Sequence, residues 1–549
     1  MADFRDKVIY QIYPKSFKDS NGDGVGDIRG IIDELDYLEG LGIDYLWLTP
    51  FFISPQKDNG YDVADYISVA PEFGTMSDVE ELIEKAGQKG IGIMLDMVFN
   101  HTSTSHEWFQ KALAGEEKYQ DYYILKDGTP DKIPTNWQSK FGGPAWEYIP
   151  DLQKWYLHLF DVTQADLNWE NPEVREELKN VIRFWKGKGV KGFRFDVVNL
   201  ISKPEVFEDD LTGDGRHFYT DGHHVHEFLK ELVRDTGIEE LVTVGEMSST
   251  SLENCIRYSK PSEKELSMCF NFHHLKVDYK DGKKWELMEP DKHALKKLFQ
   301  TWQEGMQEAD GWNAVFWCNH DQPRIVSRLG DEKKYWKESA KMLAACVHLM
   351  RGTPYIYQGE EIGMTNPHFE CIEQYHDVES LNYYRILTEQ GKSEKEALDI
   401  LAARSRDNSR TPMQWEDANY AGFSNVEPWI SVSDNYQQIN VKRELCDADS
   451  ILEFYKKLIR LRKEKEVIAK GRIEFFVEEN ADVLAYRRTL GEEELIVLNN
   501  LGENEIVVES QKEWRDYHKI LGNYGCEEAK REPSEFITLR PYEVLVLEK

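Results

Sequence analysis

The sequence predicts an α/β protein: a parallel (β/α)8 TIM barrel with a small domain inserted after strand 3 and a C-terminal antiparallel β domain. Three observations lead to this fold. Short apolar runs, eight in number, alternate with amphipathic helical stretches over most of the 549 residues. A loop-rich stretch interrupts the alternation after the third run. Beyond residue 470 the helices stop and only short strand-like runs remain.

The eight apolar runs have the length of buried parallel strands, and each is bounded by Gly, Pro or polar residues. The helical stretches between them, such as PEVREELKNVIRFWKGKG, often end at Gly, as helix C-termini do. A doubly wound open sheet is the alternative, but no G-x-G-x-x-G follows the first run. The predicted strands cover residues 7–14, 45–50, 91–99, 192–198, 241–247, 265–272, 313–321 and 353–361.

Two departures from the alternation define the predicted domains. Residues 100–167 are aromatic, contain many Pro and Gly turns, and are too long for a plain barrel loop, so they predict an inserted domain. After a helix predicted over 451–468, five short strand-like runs predict a C-terminal β domain at 471–549. The catalytic barrel then comprises residues 1–99 and 168–470.

Composition and charge narrow the class of protein. Lys and Arg number 67 and Asp and Glu 100, so the net charge is −33, the wrong sign for a nucleic-acid partner. No apolar stretch approaches the ~20 residues of a membrane span, and the opening MADFRDKVIY lacks a signal-peptide pattern. The seven cysteines are widely spaced and form no Cys-x-x-Cys pair, which favours a reducing, cytoplasmic environment over a disulfide framework or a zinc cluster.

Polar residues gather at the carboxyl ends of the predicted strands, where barrel enzymes carry out their chemistry. Any single carboxylate there could serve only as a hydrogen-bonded strand end or a helix cap. Three carboxylates at separate strand ends, with two histidines and an arginine, favour acid–base or nucleophilic work on a glycosidic bond, where one carboxyl stays protonated and another ionised. The residues concerned are Asp96, Asn100, His101, Arg194, Asp196, Glu246, Asn319, His320 and Asp321.

Seven motifs extend this pattern along the chain: GIDYLWLTP (42–50), DMVFNH (96–101), QADLN (164–168), GFRFD (192–196), GE (245–246), NHD (319–321) and GTPYIYQGEE (352–361). With them the sequence resembles the α-amylase superfamily of retaining α-glycosidases over nearly its whole length. The motifs occur in the family's order, each at its expected strand end, so the resemblance is specific. It implies a barrel that hydrolyses glycosidic bonds.

The resemblance also implies roles for individual residues. Asp196 corresponds to the nucleophile and Glu246 to the general acid/base. Asp321 corresponds to the third carboxylate, which holds the hydroxyls of the sugar. Arg194, two residues before Asp196 on the same face of the strand, would place a fixed positive charge beside it.

Further substrate-binding residues implied by the resemblance are His101, Gln164, His320, Asp58, Tyr61 and Arg410. The two histidines correspond to hydrogen-bond donors to the reacting sugar. Asp58 and Tyr61 in DNGYD, together with Arg410 in RDNSRTPMQW, resemble residues that close the far end of the pocket. Such closure implies an exo-acting enzyme that removes one glucose unit from a non-reducing end.

The loop after the first strand reads DSNGDGVGD over residues 19–27 and alternates oxygen donors in the way a hard cation requires. An EF-hand is excluded because its twelfth position is Gly30 instead of Glu, and a plain Gly/Asp turn is the alternative. Related glucosidases carry a similar loop far from the chemistry, so we expect a structural Ca²⁺ and no organic cofactor. The predicted ligands are the side chains of Asp19, Asn21, Asp23 and Asp27 and the carbonyl of Val25.

Longer segments resemble one subgroup of the family, the trehalose-6-phosphate hydrolases or phospho-α-1,1-glucosidases. Val197 directly follows the expected nucleophile, and in the family a valine at this position is associated with substrates whose linkage is not α-1,4. Oligo-1,6-glucosidases typically have an acid where this chain has Lys276, and a lysine there offers a point charge for a sugar phosphate. Lys284 is a second candidate, and solvated surface lysines are the alternative for both. The segments are NWQSKFGGPAWEY, LHLFDVTQADLNWENPEVR, GEMSSTSLENCIRY and FNFHHLKVDYKDGKKW.

The expected substrate is therefore a small phosphorylated disaccharide, trehalose 6-phosphate, split into glucose and glucose 6-phosphate. Three other functions stay open. An α-1,6-oligoglucosidase shares nearly every motif, and a glucosyl transferase or isomerase would differ in water access. A non-catalytic barrel associated with a transporter would be expected to lose the carboxylates and gain a membrane anchor.

Overall fold

The computed structural model describes residues 3–477, 479–510, 514, 517–525 and 536–549. Eight parallel strands form the barrel, and they are hydrogen-bonded in the order 6-5-4-3-2-1-8-7. A parallel bridge between Cys269 and Asn313 joins strands 6 and 7, which brings the two ends of the sheet together. The predicted barrel is confirmed, and the open-sheet alternative is excluded. Strands 1 to 8 are Ile9–Ile12, Tyr45–Leu48, Gly92–Met97, Gly192–Phe195, Val242–Glu246, Met268–Phe270, Ala314–Val315 and Thr353–Tyr357.

Helices cover the outside of the barrel, and their ends follow from local sequence. Thr75 and Asp78 form a reciprocal capping box that starts the helix after strand 2. Asn171 caps the helix after strand 3, and Pro172 occupies its first turn. In chain order the helices of the barrel are Ile28–Asp33, Leu35–Leu41, Met76–Gln88, Pro172–Gly187, Arg216–Tyr219, Val225–Thr236, Leu252–Ser259, Lys292–Glu308, Ile325–Leu329, Trp336–His348, Val378–Glu389, Glu394–Arg404, Asp407–Arg410, Val441–Cys446, Ile451–Glu464 and Glu466–Lys470.

Strand 7 is much shorter than its apolar run. The sequence predicts a strand over 313–321, but only Ala314–Val315 pair in the sheet. The carbonyl of Phe316 is 2.9 Å from Nε2 of His274, and Oδ1 of Asn319 accepts the backbone N–H of Asp321. The polar end of the run therefore leaves the strand ladder to form the rim of the barrel mouth.

Two segments beside the mouth carry residues of the predicted site. A short antiparallel pair, Phe52–Ile53 and Asp65–Val69, follows strand 2 and encloses Asp58 and Tyr61. Residues 100–167, predicted as an inserted domain, hold the helices Glu107–Leu113 and Glu117–Gln120 and the strands His101–Ser103, Leu125–Asp127, Trp146–Ile149, Lys154–Leu157 and Gln164–Asp166.

A small aromatic core fixes this inserted segment against the chain that follows strand 4. Trp137 is fully buried beside Val197 and Tyr219, and its indole N–H donates to the carbonyl of Glu208. Gly215 packs directly on the Trp137 ring, where an added Cβ would come within 2.4 Å of it. Because Gly215 also has a φ of 93°, glycine is required there for two reasons, and the contact sets the position of Arg216.

The C-terminal part is an antiparallel β unit, as predicted, with its own apolar core. Two of its strands, His518–Gly522 and Phe536–Leu539, were not predicted because they lack a continuous apolar run. Within the described residues no helix is long and apolar enough to cross a membrane. The six described cysteines are free, and Cys526 lies outside the described residues. The strands are Arg472–Phe476, Val483–Leu490, Glu493–Asn500, Ile506–Glu509, His518–Gly522, Phe536–Leu539 and Val544–Glu548.

Candidate active site

Three carboxylates lie at or just beyond the carboxyl ends of strands 4, 5 and 7 and line a single cavity of about 250 Å³. They are Asp196, Glu246 and Asp321, the residues that the sequence analysis singled out. The parallel barrel explains their meeting, because all its strands end at the same rim. The cavity is also lined by Asp58, Tyr61 and His101.

Arg194 holds the first two carboxylates together. Its side chain is 1% exposed, and its Nη1 donates to Asp196 Oδ1 at 2.7 Å. Its Nη2 contacts Oε2 of Glu246. The shared guanidinium holds the two carboxylates near each other, and a retaining mechanism requires such a pair, with a separation of about 5 Å.

Asp96 supports Arg194 from behind. Nη1 of Arg194 also donates to Oδ1 of Asp96 at 2.6 Å, and Oδ2 of Asp96 accepts hydrogen bonds from Tyr61 Oη (2.9 Å) and Trp47 Nε1 (3.1 Å). Burial raises the pKa of Asp96 to about 7, in spite of the arginine. The four side chains form a buried network that fixes the floor of the cavity.

The backbone turns sharply directly after Asp196. Val197 has φ 34° and ψ 39°, a left-handed conformation that β-branched residues rarely adopt. Its side chain is buried in the aromatic core of the inserted segment, which supplies the packing that keeps this conformation. The turn leaves Asp196 at the end of the strand, with its N–H donating to the carbonyl of Met97.

The far end of the cavity is closed by a buried ion pair. Nη2 of Arg406 donates to Asp58 Oδ1 at 2.8 Å, and Gln164 Nε2 donates to Asp58 Oδ2 at 2.9 Å. Burial raises the pKa of Asp58 to about 7, against the charges of Arg406 and Arg410. Arg406 also binds Asp377 at 2.5 Å.

The residue that pairs with Asp58 is thus Arg406, which the sequence analysis did not single out. Arg410 is fully buried behind the cavity, where Nη2 donates to Asp321 Oδ1 (2.7 Å) and Nε to the carbonyl of His320 (2.9 Å). Burial alone would raise the pKa of Asp321, but Arg406 and Arg410 hold it well below its usual range. Asp321 is therefore a carboxylate held between positive charges.

Both histidines are buried and neutral near pH 7. Burial lowers the pKa of His320 to about 3, and Gln11 Nε2 lies 2.7 Å from its Nδ1. Its ring stacks on Tyr61, with centroids 5.0 Å apart and planes 2° apart. Burial also lowers the pKa of His101, whose Nε2 lies 3.1 Å from the carbonyl oxygen of Tyr61. Tyr61 therefore links the two rings around the cavity.

A second, wider cleft of about 1060 Å³ adjoins the cavity and shares five lining residues with it. Seven basic and four acidic side chains line this outer cleft, so it carries positive charge on a chain of net charge −33. The basic ones are Lys140, Arg216, Lys276, Lys280, Lys283, Lys284 and Lys392.

The two predicted phosphate-binding lysines differ in their surroundings. Lys284 is paired with Glu379, with Nζ 2.6 Å from Oε2. Lys276 lines both the cavity and the cleft, and its ammonium group has no hydrogen-bond or ion-pair partner among the described residues. Although its side chain reaches solvent, the protein around it and the charge of Arg216 lower the pKa of Lys276. Lys276 is therefore the better placed of the two to bind an anion.

Sequence reasoning missed three cations of the site: Arg406, Lys140 and Arg216. Arg406 lies in the quoted motif RDNSRTPMQW, one helical turn before Arg410, and Lys140 lies in NWQSKFGGPAWEY. Lys140 donates to Ser248 Oγ at 3.1 Å, and burial, with Arg216 and Lys276 nearby, lowers its pKa to about 7. No sequence signal marked Arg216, which is paired with Asp214.

Carboxylates of the predicted calcium loop accept hydrogen bonds from donors of the protein itself. Asp19 accepts hydrogen bonds from the backbone of Gly22 (2.7 Å) and Gly24 (2.9 Å) and from Ser424 Oγ (2.6 Å). Asp27 caps the helix Ile28–Asp33. No three acidic, histidine or cysteine side chains of the described residues gather as metal ligands. The donors are all oxygen, which suits Ca²⁺. The calcium site stays a prediction, as do the ligand roles of Asn21, Asp23 and Val25.

The barrel with carboxylates at three strand ends defines a glycoside hydrolase of the (β/α)8 class. Residues 11–471 match the sequence profile of the α-amylase family, described as "Alpha amylase, catalytic domain". The chain belongs to the α-amylase family.

Individual relatives are similar over their full length. Trehalose-6-phosphate hydrolase of Escherichia coli (strain K12) is 54% identical over 539 residues, which cover 98% of this chain and 97% of the relative. The crystal structure of trehalose-6-phosphate hydrolase from Bacillus licheniformis has a TM-score of 0.95 and 52% identity, with 100% of both chains covered. Oligo-1,6-glucosidase of Bacillus cereus is 44% identical over 553 residues, which cover 99% of this chain and 98% of the relative.

Proposed function

We propose that this chain is an exo-acting, retaining glycosidase that hydrolyses trehalose 6-phosphate to glucose and glucose 6-phosphate. One observation carries the proposal: a cavity with three catalytic-type carboxylates is closed at one end and opens at the other onto a basic cleft where Lys276 is unpaired. Similarity to the trehalose-6-phosphate hydrolases of Escherichia coli and Bacillus licheniformis supports the same substrate.

The chemistry assigns Asp196 as nucleophile and Glu246 as general acid. Asp196 attacks the anomeric carbon of the non-reducing glucose while Glu246 gives its proton to the glycosidic oxygen, so glucose 6-phosphate leaves. A covalent glucosyl ester on Asp196 remains. Glu246, now a carboxylate, takes a proton from water, which attacks the same carbon and releases glucose and free Asp196.

The closed end selects a single terminal glucose. Asp58 and Asp321 offer carboxylate oxygens to the sugar hydroxyls, and Arg406 offers guanidinium N–H groups, while Arg410 holds Asp321 in place from behind. Because Asp58, Arg406 and Arg410 are buried before any sugar binds, little ordering of these three side chains is needed on binding. Asp321 contributes most when its hydrogen bonds strengthen in the distorted sugar of the transition state.

The open end would hold the phosphate. A dianion at the mouth meets Lys276, which has no competing carboxylate partner among the described residues, and Lys140 beside it. The acidic surface of the rest of the chain would repel such a ligand, so the local excess of basic side chains is needed for its capture.

We also propose a cytoplasmic location. The exposed cysteines Cys371 and Cys446 are free, as a reducing compartment allows. Oxidising conditions would put both thiols at risk of modification.

Product analysis on trehalose 6-phosphate, trehalose and isomaltose side by side tests the proposed activity. We expect glucose and glucose 6-phosphate from the first substrate, with kcat/KM far above that for the other two. Comparable specificity constants for isomaltose and trehalose 6-phosphate would favour the oligo-1,6-glucosidase function instead. Isomerised disaccharide among the products would favour a transferase.

A further inference from the structure

The segment that carries Lys276 is held by a buried cluster of three charged side chains that contains none of the reacting groups. Asp278 lies two residues after Lys276 and is paired with Arg328 and Arg404. The exposed fractions of these side chains are 3% for Asp278 and 5% for each arginine. We call Asp278, Arg328 and Arg404 the Asp278 clamp.

Arg328 holds the backbone next to Lys276. Its Nε and Nη2 donate to both carboxylate oxygens of Asp278, at 2.7 Å and 2.6 Å, and Nη2 also contacts the carbonyl of Leu275. The residues on either side of Lys276 are thus tied to one guanidinium. Nη1 of the same group donates to Gln322 Oε1 at 3.1 Å, and Gln322 lines the cavity next to Asp321.

Arg404 fixes the rest of the segment from another element. It ends the helix Glu394–Arg404 that follows strand 8, whereas Arg328 lies on the helix after strand 7. Its Nη1 and Nη2 donate to the carboxylate and the carbonyl of Asp278, both at 2.7 Å, and its Nε donates to the carbonyl of Lys284 at 3.1 Å. Both lysines at the mouth of the cavity are therefore positioned through their backbone.

We infer that the Asp278 clamp is a positioning device that sets specificity for the leaving group, and this inference rests on the proposed function. The two arginines of the clamp contact the loop after strand 6 at Leu275, Asp278 and Lys284. No residue of the clamp contacts Asp196 or Glu246. Loss of its fixed geometry would displace the ammonium of Lys276 from the phosphate while leaving the reacting carboxylates in place. A displacement of about 1 Å in a positioned group can cost up to about a hundredfold in rate.

The test compares two substrates that share the glucose to be transferred and differ in the leaving group. Trehalose 6-phosphate needs the mouth of the cavity, whereas 4-nitrophenyl α-glucoside has a small, activated leaving group without phosphate. We expect Arg328→Lys to lower kcat/KM for trehalose 6-phosphate about ten- to a hundredfold, chiefly by raising KM. It should lower kcat/KM for the aryl glucoside less than about threefold. Arg404→Lys should act in the same direction.

Two controls keep the result interpretable. Arg175 donates to Glu231 between two barrel helices and lines neither cavity, so Arg175→Lys should leave the ratio of the two specificity constants unchanged. Melting temperatures of all variants report any loss of fold, and Asp278→Asn, which leaves two buried arginines without their carboxylate, is expected to be the least stable.

Equal losses on both substrates for folded Arg328→Lys and Arg404→Lys, or no loss on either, would overturn the positioning role. The failure of the proposed function looks different. In that case the wild-type enzyme would not prefer trehalose 6-phosphate over isomaltose. The clamp variants would then be judged by the ratio of kcat/KM for the preferred disaccharide to kcat/KM for the aryl glucoside.

Discussion

Removal of the Lys276 ammonium group is the most direct test of phosphate recognition. Lys276→Ala removes a charge that has no partner among the described residues, so no buried carboxylate is left unpaired and the fold should tolerate the change. The expected result is a loss in kcat/KM for trehalose 6-phosphate with little change for trehalose. The two substrates differ only in the phosphate.

The size of the loss follows from the surroundings of Lys276. A charge-assisted hydrogen bond contributes about 1.5–3 kcal/mol, which corresponds to roughly 10- to 150-fold in kcat/KM. The side chain of Lys276 is exposed to solvent at the mouth of the cavity, so water and salt weaken its interaction with the phosphate. We therefore expect the lower end, about tenfold, shrinking further at 0.5 M salt, a concentration at which the Debye length is only about 4 Å.

The assay measures kcat/KM of wild type and variants on trehalose 6-phosphate and trehalose at low and high salt. Lys283→Ala is the matched control, because Lys283 lines the outer cleft but is 66% exposed and pairs with Glu286. Lys284→Ala should instead lower the melting temperature, because the largely buried Glu379 loses its ion pair at 2.6 Å and keeps only the longer contact with Arg406 at 3.6 Å. A Lys276→Ala enzyme that loses activity equally on both substrates, or on neither, would refute the contact.

Three further predictions test other parts of the site. Asp196→Asn and Glu246→Gln should each reduce turnover by several orders of magnitude with an unchanged circular dichroism spectrum. Glu246→Gln should recover in part on substrates whose leaving group needs no proton, and near-normal turnover of either variant on trehalose 6-phosphate would contradict the roles. Chelation should lower the melting temperature if the 19–27 loop binds Ca²⁺, with little effect on the folded enzyme's activity, and a melting curve indifferent to chelator and calcium would exclude the site. Because the pKa of Lys140 is lowered to about 7, raising the pH through 7 removes its charge. KM for trehalose 6-phosphate should therefore rise relative to KM for trehalose, whereas Asp58 and Asp96, whose pKa values are also about 7, affect both substrates alike. The Lys140→Arg variant, measured alongside because the phosphate itself titrates near pH 6, should show no such rise in the ratio.

The sequence by itself determined the barrel and the place of its chemistry. Apolar runs of strand length alternating with amphipathic helices permit few folds, and polar residues directly after those runs must gather at one rim. That reasoning located a set of strand-end acids that includes Asp96, Asp196, Glu246 and Asp321, and the family resemblance singled out the last three. The position of Lys276 just past strand 6 likewise put it near the mouth.

Only the tertiary structure decided which charges pair. Arg406 and Arg410 are one helical turn apart, and the sequence analysis named only Arg410, but Arg406 is the residue that reaches Asp58. The sequence favoured Lys276 and kept Lys284 as a second candidate, and only packing placed Glu379 beside Lys284 and left Lys276 open. Ion pairs depend on distances of a few ångströms between segments far apart in the chain, and no local pattern encodes such distances. The Asp278 clamp, assembled from the loops and helices after strands 6, 7 and 8, is visible only once the barrel has closed.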